Sequence, residues 1–356
     1  MNPRERLRAM IDREPLDRGI FWPEGAWGET RQRWLEEGKA PDHDFGFDGM
    51  HGVGIDINYA PAWDTGPIED EGEHELVRDM YGIIRRIRKD AKNRDVAQYV
   101  SFPMSDRASW EELKPRLVAD APDRFPDDWP ERAKRLGDSD LPIGFGGGHL
   151  CGFFSFLRES FGDEEVYYLF ADEPDLVREI LDFQVERLSG MLKQVVKDVR
   201  VDTLFIWEDM CYKNGPLISP EMFREFLLEP YQRYIAVAKE QGVWAIDVDS
   251  DGDCRKLLPL WIEAGVNMQH PLEVQSGMDA VELVNEFGDD LMLRGGIDKR
   301  ELAKGKDAID RELDRIRPAY ETGSYIPAAD HSIPPDVSWE NYLYYHEKRK
   351  EMVGLG

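Results

Sequence analysis

The feature that most constrains the fold is a regular alternation, from residue 201 onward, of short β-branched or aromatic runs with longer amphipathic stretches. The short runs have the composition of strands and occur at 201–207, 243–248, 266–269, 291–294 and 324–327. Each is followed by a helical pattern, at 219–242, 255–264, 278–287, 301–320 and 338–352. This succession of strand–helix units predicts a parallel sheet with its helices packed outside.

The first half of the chain gives weaker signals. A helix is predicted at 3–11, short strands at 19–21, 54–59 and 143–146, and a hairpin at 77–89 around Gly82. The acidic, proline-rich stretch 105–140 keeps Trp110, Leu113 and Trp129 as anchors, so it is interpreted as helix and loop and not as a linker. No boundary divides the chain, and residues 1–356 are predicted to form one domain with N-terminal elaborations.

A parallel sheet with outer helices either closes into a (β/α)8 TIM barrel or stays open as a doubly wound sheet. Open sheets that bind dinucleotides carry Gly-x-Gly-x-x-Gly where a helix begins after an early strand. Here the glycines at 144 and 146–148 come in mid-chain and run into Phe153. The chain has 356 residues, which suits a barrel of about 250 residues with insertions. The predicted fold is therefore α/β, a (β/α)8 TIM barrel.

The acidic composition excludes several classes of partner. The chain has 45 Lys and Arg against 72 Asp and Glu, a formal charge of -27, which disfavours nucleic acid and anionic membranes. Its 3 cysteines form no Cys-x-x-Cys pair, which fits a reducing compartment and encodes neither a disulfide framework nor a thiolate zinc finger. The N-terminus has no apolar leader, and no run of about 18 apolar residues occurs, so a cytoplasmic protein is expected.

In an α/β barrel, polar residues just past the strands point into one shared mouth. The candidates at or just after predicted strands are Asp56, His149, Glu208, Asp209, Asp247, Asp249, His270, Glu273, Arg294, Asp298, Asp330 and His331. Carboxylates and imidazoles that meet in one mouth can hold a divalent metal ion or perform general acid and base chemistry. His331 is the strongest candidate, because it lies between a predicted strand and the rigid Pro334-Pro335 break before the last helix.

Several of these residues have structural interpretations as well. The stretch 247–252 matches the opening of a calcium loop, but Leu258 stands where the bidentate glutamate belongs, and a capped turn explains the stretch equally. His149 and His270 fit packing beside a strand end as well as a site. Glu208 directly follows an apolar strand, where an unsatisfied carboxylate would be costly, which favours a functional role.

Short motifs spread over nearly the whole chain resemble the uroporphyrinogen decarboxylase superfamily, which also contains cobalamin-linked methyltransferases. The motifs are residues 3–10 with Pro15-Leu-Asp-Arg18, and the stretches 218–223, 248–252, 295–299 and 330–337. The resemblance is strongest from residue 200 onward. It implies a barrel fold independently of the strand–helix alternation.

The chain is similar to the decarboxylase itself at two positions and departs from it elsewhere. Asp56 resembles that enzyme's pyrrole-binding aspartate, and His331 resembles its active-site histidine. The arginine-rich segment that neutralises a substrate with many carboxylates is replaced by residues 21–28, and the decarboxylase's tyrosine falls near Phe154 or Ser155. An acid-lined mouth receives a polyanion poorly, so uroporphyrinogen is not the expected substrate.

The methyltransferase branch implies a metal and a cofactor on another protein. Its zinc site is His-x-Cys plus a later Cys, and the matching positions here hold Asp247, Asp249 and Ala329. A divalent metal ion, zinc or another, would therefore have oxygen ligands, which favours activating a hydroxyl, ether or amine over a thiol. The resemblance also implies a corrinoid carried by a partner protein.

From these motifs we expect an enzyme that moves a methyl group between a small-molecule substrate and a corrinoid protein. Catalysis is assigned to His331, Asp56 and Glu208, substrate binding to Trp22, Trp27, His149, Phe154, His270 and Arg294, and metal or cation binding to Asp247 and Asp249.

Two alternatives stay open. A cofactor-free decarboxylase would use Asp56 to stabilise an electron-poor ring and His331 to deliver a proton, and it would need Arg294 to receive an acidic substrate. A non-catalytic small-molecule binding protein on the same scaffold would show neither pH-dependent turnover nor a metal. The sequence leaves the oligomeric state open, with a homodimer as one option.

Overall fold

The computed structural model describes residues 1–90, 97–121 and 123–356. It is a mixed α/β structure built on one curled parallel sheet of seven strands. The strands of the chain are β1 (His51–Gly52), β2 (Gly66–Glu71), β3 (His74–Arg78), β4 (Ile84–Arg88), β5 (Gln98–Ser101), β6 (Ile143–Gly146), β7 (Thr203–Trp207), β8 (Cys211–Tyr212), β9 (Gly215–Pro216), β10 (Ala245–Asp249), β11 (Met268–His270), β12 (Met292–Ile297) and β13 (Tyr325–Ala329). The parallel sheet has the order β1, β6, β7, β10, β11, β12, β13.

Helices connect the parallel strands, as strand–helix units require. The α-helices of the described residues are α1 (Pro3–Ile11), α2 (Gly28–Glu36), α3 (Arg107–Leu113), α4 (Trp129–Gly137), α5 (Phe154–Phe161), α6 (Glu165–Asp172), α7 (Pro174–Val195), α8 (Pro220–Met222), α9 (Leu228–Glu240), α10 (Leu258–Ala264), α11 (Ala280–Phe287), α12 (Lys299–Leu302), α13 (Lys306–Glu321) and α14 (Trp339–Met352). Among the residues described, no helix combines the length and apolar character that crossing a bilayer requires.

The predictions for the second half of the chain are confirmed. Each strand predicted from residue 143 onward overlaps one strand of the parallel sheet, and each predicted helix overlaps at least one helix. The helix predicted at 301–320 is divided into α12 and α13, because Gly305 between them has a φ of 99°, which ends regular helix. The hairpin predicted around Gly82 is also present, since β3 and β4 pair antiparallel from Arg78 opposite Ile84. That hairpin belongs to a four-stranded sheet, β2–β5.

The strand predicted at 54–59 is wrong. The structure has no strand there, and β1 comes earlier in the chain. The backbone N–H of Asp56 donates to the carbonyl oxygen of Arg124 at 2.8 Å, and the Arg124 guanidinium donates back to the carbonyl oxygens of Asp56 and Asn58. Because a side chain satisfies these backbone groups, the segment needs no neighbouring strand.

The predicted ring of eight strands is shown only in part, since β1 and β13 form the edges of the parallel sheet in the described residues. The segment 19–25, where a strand was predicted at 19–21, contacts the chain near both edges. The Phe21 carbonyl oxygen accepts the Asp48 N–H at 2.8 Å, and the Phe21 N–H donates to the Asp48 carboxylate at 2.8 Å. The Arg349 guanidinium donates to the Trp22 carbonyl oxygen at 3.0 Å. Side chains thus replace much of a strand ladder here.

The inner face of the curled sheet holds its own apolar cluster, separate from the larger core under the helices. It consists of Leu7, Met10, Ile20, Trp22, Ala245, Met268, Met292 and Ile326. Because side chains alternate along a strand, the residues two positions beyond these on β10, β11 and β12 also face inward, closer to the carboxyl ends. This periodicity positions the polar site.

Candidate active site

Strand register brings polar residues of β10 and β11 into neighbouring layers of the inner face. Asp247 lies opposite Met268, and Asp249 lies opposite His270. Met268 in turn lies opposite Met292. On the inner face, apolar side chains are therefore followed by polar ones two residues further along the strands, at the carboxyl end where α/β proteins bind their ligands.

An imidazole connects the two aspartates of β10. Nδ1 of His270 lies 2.9 Å from Oδ1 of Asp247, and Nε2 lies 3.8 Å from Oδ2 of Asp249. The Asp247 side chain is only 4% exposed, whereas that of Asp249 is 22% exposed. Burial raises the pKa of Asp249 to about 6, with smaller effects from the neighbouring charges. Asp247 therefore fixes the orientation of the His270 ring on its buried side, and Asp249 lies on the more exposed side of the ring.

Arg294 of β12 adds a buried cation to the group. Its guanidinium lies 3.8 Å from Oδ2 of Asp247, and its central carbon lies 5.2 Å from the centroid of the Trp22 ring. The side chain is 13% exposed, and burial lowers its pKa from the ordinary value. Four predicted residues thus form a chain of contacts that runs from Trp22 to Arg294, then to Asp247 and then to His270.

A cavity of about 240 Å³ opens above this group. Its lining residues are Pro23, Glu24, Gly25, Asp249, His270, Pro271, Arg294, Gly295, Ala328, Ala329, His331 and Ser332. They come from segment 19–25, from the ends of four strands and from the loop after β13. Gly295 lets this wall lie close to the loop after β11, because a Cβ there would lie 2.7 Å from the backbone nitrogen of Leu272. The volume suits a small molecule, below the range of about 300–1,000 Å³ typical of drug-sized ligands.

His331 stands at the rim of this cavity. Its Nε2 lies 3.4 Å from Oδ2 of Asp251, and its side chain is 36% exposed. The interaction with Asp251 raises the pKa of His331 above its ordinary value, so the imidazolium persists to higher pH. The His331 imidazolium therefore has a proton to donate at a place that both the cavity and solvent reach.

The loop that carries His331 is fixed by its neighbour Asp330, whose side chain is fully buried. The Asp330 carboxylate accepts the backbone N–H groups of Val274 and Lys299 at 3.3 and 3.1 Å. The Lys299 ammonium lies 3.5 Å from the same carboxylate. Asp330 was a candidate from sequence, and the structure gives it a role in holding the His331 loop between two other strand ends.

Glu24 is a lining residue that the sequence did not single out. Its side chain is 4% exposed, pairs with Arg349, and accepts hydrogen bonds from the Ala329 N–H and the Tyr345 hydroxyl. The signal that could have found it is its position three residues after the strand predicted at 19–21. Its bonds tie segment 19–25 to β13 and α14.

Other predicted site residues lie outside the cavity lining. Glu208 is fully buried, and its carboxylate accepts the N–H groups of Phe153 and Ser155 at 2.7 and 2.9 Å and the Tyr231 hydroxyl. Burial raises the pKa of Glu208 from its ordinary value. Phe154 is fully buried and stacks on Phe170 in the core under the helices. The carboxylate that looked costly after a strand is satisfied by the start of α5.

His149 lies in a stack of three rings. It is 3.9 Å from Trp207 and 4.7 Å from Tyr81 between ring centroids, and its Nδ1 faces Glu159 at 3.5 Å. The stack joins the turn of the β3–β4 hairpin to the end of β7. None of the three stacked residues belongs to the lining of the cavity.

Asp56 and Trp27 are also placed apart from the lining. The Asp56 carboxylate accepts the backbone N–H of Asn58 and its amide N–H, both at 2.9 Å, which is an Asx turn. Trp27 is 43% exposed and precedes the first residue of α2. The catalytic role predicted for Asp56 and the substrate-binding role predicted for Trp27 stay predictions.

The aspartates of β10 were also assigned a metal. In the described parts of the chain, no group of three or more His, Cys, Asp and Glu side chains is arranged to hold a metal ion. Oδ1 of Asp247 is engaged by the imidazole of His270, which also removes one ring nitrogen from the donor set. The arrangement suits a cationic group facing Asp249 better than a metal ion, and the metal stays a prediction.

A parallel α/β sheet with a polar cavity at the carboxyl ends of its strands is the arrangement of α/β enzymes with outer helices. The model of the uroporphyrinogen decarboxylase (URO-D) family matches residues 134–352, more than half of the chain. The chain therefore belongs to the uroporphyrinogen decarboxylase family, and it is an enzyme of that superfamily.

Similarity to a solved structure supports the fold. A methyltransferase from Methanosarcina mazei is similar over 99% of this chain and 99% of its own, with a TM-score of 0.63 and 16% sequence identity. At that identity the similarity shows the fold alone. A 3-keto-D-glucoside 4-epimerase from E. coli is similar over 63% of this chain and 95% of its own, with a TM-score of 0.33 and 10% identity, too low to support an argument. No curated protein matches the chain by sequence.

Proposed function

We propose that this enzyme moves a methyl group between a small molecule bound in the cavity and a corrinoid carried by a separate protein. The observation that carries the proposal is the position of His331, a proton donor at the rim of a small cavity and open to solvent. A reaction partner too large to enter can meet the substrate at such a rim. The fold similarity to a methyltransferase supports the same direction.

The role of this chain is to hold the substrate and to manage one proton. When the bond between the methyl carbon and its heteroatom breaks, the electron pair stays on the heteroatom, which then takes up a proton. His331 supplies that proton and takes up another from solvent, and Asp251 stabilises the resulting imidazolium charge. Asp249, His270 and Arg294 bind the rest of the substrate. In the reverse direction the same imidazole accepts the proton.

A corrinoid on the partner would supply the group that accepts or donates the methyl. A cavity of about 240 Å³ has no room for a corrinoid ring system, which fits a corrinoid that remains outside on its own protein. We also propose that segment 19–25 stands in the place of the eighth strand and completes a (β/α)8 barrel. Its bonds to Asp48 and Arg349 support that placement.

A carboxy-lyase is the second candidate, because Arg294 is a buried cation beside the cavity. A substrate carboxylate would bind there, and His331 would protonate the carbon that loses carbon dioxide. Methyl transfer is preferred because the open rim gives a large reaction partner access to the substrate, which decarboxylation does not need.

The test uses the full chain with free reduced cobalamin as the corrinoid probe and a panel of methylated amines, ethers and N-methylated amino acids. Methylation of cobalamin, followed by its absorbance, is the expected result, with carbon dioxide release measured in parallel. His331→Asn lowers the rate by about a hundredfold or more, the usual contribution of a general acid. His51→Asn, an exposed histidine on β1, is the matched control. Carbon dioxide release without methyl transfer would favour the carboxy-lyase.

A further inference from the structure

We infer that the molecule bound in the cavity is a small zwitterion, an N-methylated amino acid, whose carboxylate binds Arg294 and whose ammonium group faces Asp249. The inference rests on the proposed function for the fate of the methyl group. The two charged contacts themselves follow from the cavity and do not depend on the reaction.

The first argument is the state of the Arg294 side chain. A guanidinium presents five N–H donors in a planar fork that matches a carboxylate. In the part of the chain that the structure describes, none of these donors makes a hydrogen bond, and the nearest carboxylate oxygen, on Asp247, is 3.8 Å away. Arg294 lines the cavity, so its donors face the space where a ligand sits.

A purely structural role for Arg294 explains the geometry less well. Buried arginines that serve structure in this chain are bonded: the Arg187 guanidinium donates to three acceptors, and Arg349 pairs with Glu24. The Asp247 carboxylate is already bonded to His270 at its other oxygen. The Arg294 donors face the cavity without a hydrogen-bonded partner from the protein, which points to a partner supplied from outside.

The second argument is that the same cavity has an acidic wall. Asp249 lines it two strands away from Arg294, with the His270 ring between the two carboxylates of β10. Asp251 lies at the rim beside His331. A ligand that only carried a carboxylate would be repelled by this wall, and one that only carried an ammonium would leave the Arg294 donors without a hydrogen-bond acceptor. A zwitterion satisfies both.

The third argument is size. A cavity of about 240 Å³ accommodates a small amino acid with one or two methyl groups on nitrogen. A polycarboxylated ring would exceed it. The ammonium nitrogen bound near Asp249 also brings its methyl group close to the rim that His331 occupies, where the proposed transfer takes place.

The experiment compares three ligands that share one four-atom chain by isothermal titration calorimetry. The probes are N-methylglycine, butanoate, which lacks the ammonium, and N-ethylmethylamine, which lacks the carboxylate. N-methylglycine is expected to bind at least about tenfold more tightly than either analogue, since each loses one charge-assisted contact. Equal binding of N-ethylmethylamine and N-methylglycine overturns the inference.

Variants identify the residues. Arg294→Gln lowers the affinity for N-methylglycine and butanoate about tenfold and leaves N-ethylmethylamine unchanged, whereas Asp249→Asn weakens N-methylglycine and N-ethylmethylamine and spares butanoate. Arg294→Lys keeps the charge without the fork and gives an intermediate value. Arg311→Gln, an exposed position on α13, is the matched control and changes nothing. An unchanged N-methylglycine affinity in folded Arg294→Gln overturns the inference.

The inference and the proposed function fail separately. Methyl transfer from N-ethylmethylamine as fast as from N-methylglycine would overturn the inference and keep the function. Selective N-methylglycine binding without methyl transfer to cobalamin would support the inference and overturn the function. Should Arg294→Gln not fold, the three-ligand comparison on the unmodified protein still decides.

Discussion

Nδ1 of His270 lies 2.9 Å from Oδ1 of Asp247, while Nε2 of the same ring faces Asp249 at 3.8 Å. One imidazole therefore spans two carboxylates of a single strand, one layer apart. Its orientation is set by the buried aspartate, and the outer aspartate is left to contact a ligand. This division of roles between Asp247 and Asp249 underlies the first prediction.

The purified protein should contain well below one equivalent of zinc or any other divalent metal. The reason is that Asp247 and one nitrogen of His270 are committed to each other, which leaves too few donors for a stable site. Elemental analysis of the protein and of the double variant Asp247→Asn, Asp249→Asn tests this, with exposed Asp289→Asn as control. A stoichiometric ion that disappears in the double variant alone would restore the metal role.

Glu208 should prove to be a stability residue. Glu208→Ala leaves the N–H groups of Phe153 and Ser155 and the Tyr231 hydroxyl without their acceptor, which costs about 3 kcal/mol of unfolding free energy. Tyr231→Phe removes one of these bonds and should cost about 1 kcal/mol. Urea denaturation gives both values, and the rate per folded molecule should stay within about twofold. A large loss of rate at unchanged stability would instead support the catalytic role expected from sequence.

The basic side of the pH–rate profile should depend on Asp251. The interaction with Asp251 raises the pKa of His331, so the protonated donor is present below that pKa and is lost as pH rises through it. In Asp251→Asn the pKa falls, and the decline of kcat/KM should move to lower pH by up to about one unit. Kinetics from pH 5 to pH 9 on both proteins decide the point. A profile that does not move would show that His331 is not the titrating donor.

His346 should make the fold sensitive to mild acid. Burial among aromatic rings, with nearby Arg349, lowers its pKa to about 4, so between that value and the ordinary 6.5 the unfolded chain binds a proton that the folded chain refuses. The contribution of His346 to the free energy of unfolding is therefore complete above pH 6.5 and falls as the pH drops toward 4, by up to about 3 kcal/mol. His346→Phe should flatten the urea midpoint across pH 4.5 to 7. An equally steep fall in the variant would assign the effect to other groups.

The inner wall of the site could be predicted because strand periodicity is local. Alternation along β10 places Asp247 and Asp249 on one face, and the parallel register then brings His270 beside them. The segments at 19–21 and 54–59 could not be predicted in the same way. Asp48 and Arg124 satisfy their backbones from 27 and 66 residues away, and no local pattern carries that information.

The surroundings of Glu208 show the same limit of sequence reasoning. Its position after β7 suggested an active-site carboxylate, but its partners at the start of α5 lie 53 and 55 residues earlier in the chain. Periodicity predicts which face a side chain occupies. It does not predict whether a carboxylate accepts hydrogen bonds from a helix elsewhere in the chain. For this reason Glu208 and Asp249 look alike in sequence, whereas in the structure only Asp249 lines the cavity.

The four-stranded antiparallel sheet is a part of this enzyme whose hairpin lengths can change independently of the parallel sheet. Strands β2–β5 pair with one another, and their contact with the parallel sheet includes the stacking of Tyr81 on His149. Lengthening or shortening the hairpins would leave the register of the parallel strands untouched, since none of their ladder bonds passes through it. Selection can therefore reshape this sheet while the parallel strands that carry Asp249, His270 and Arg294 keep their register.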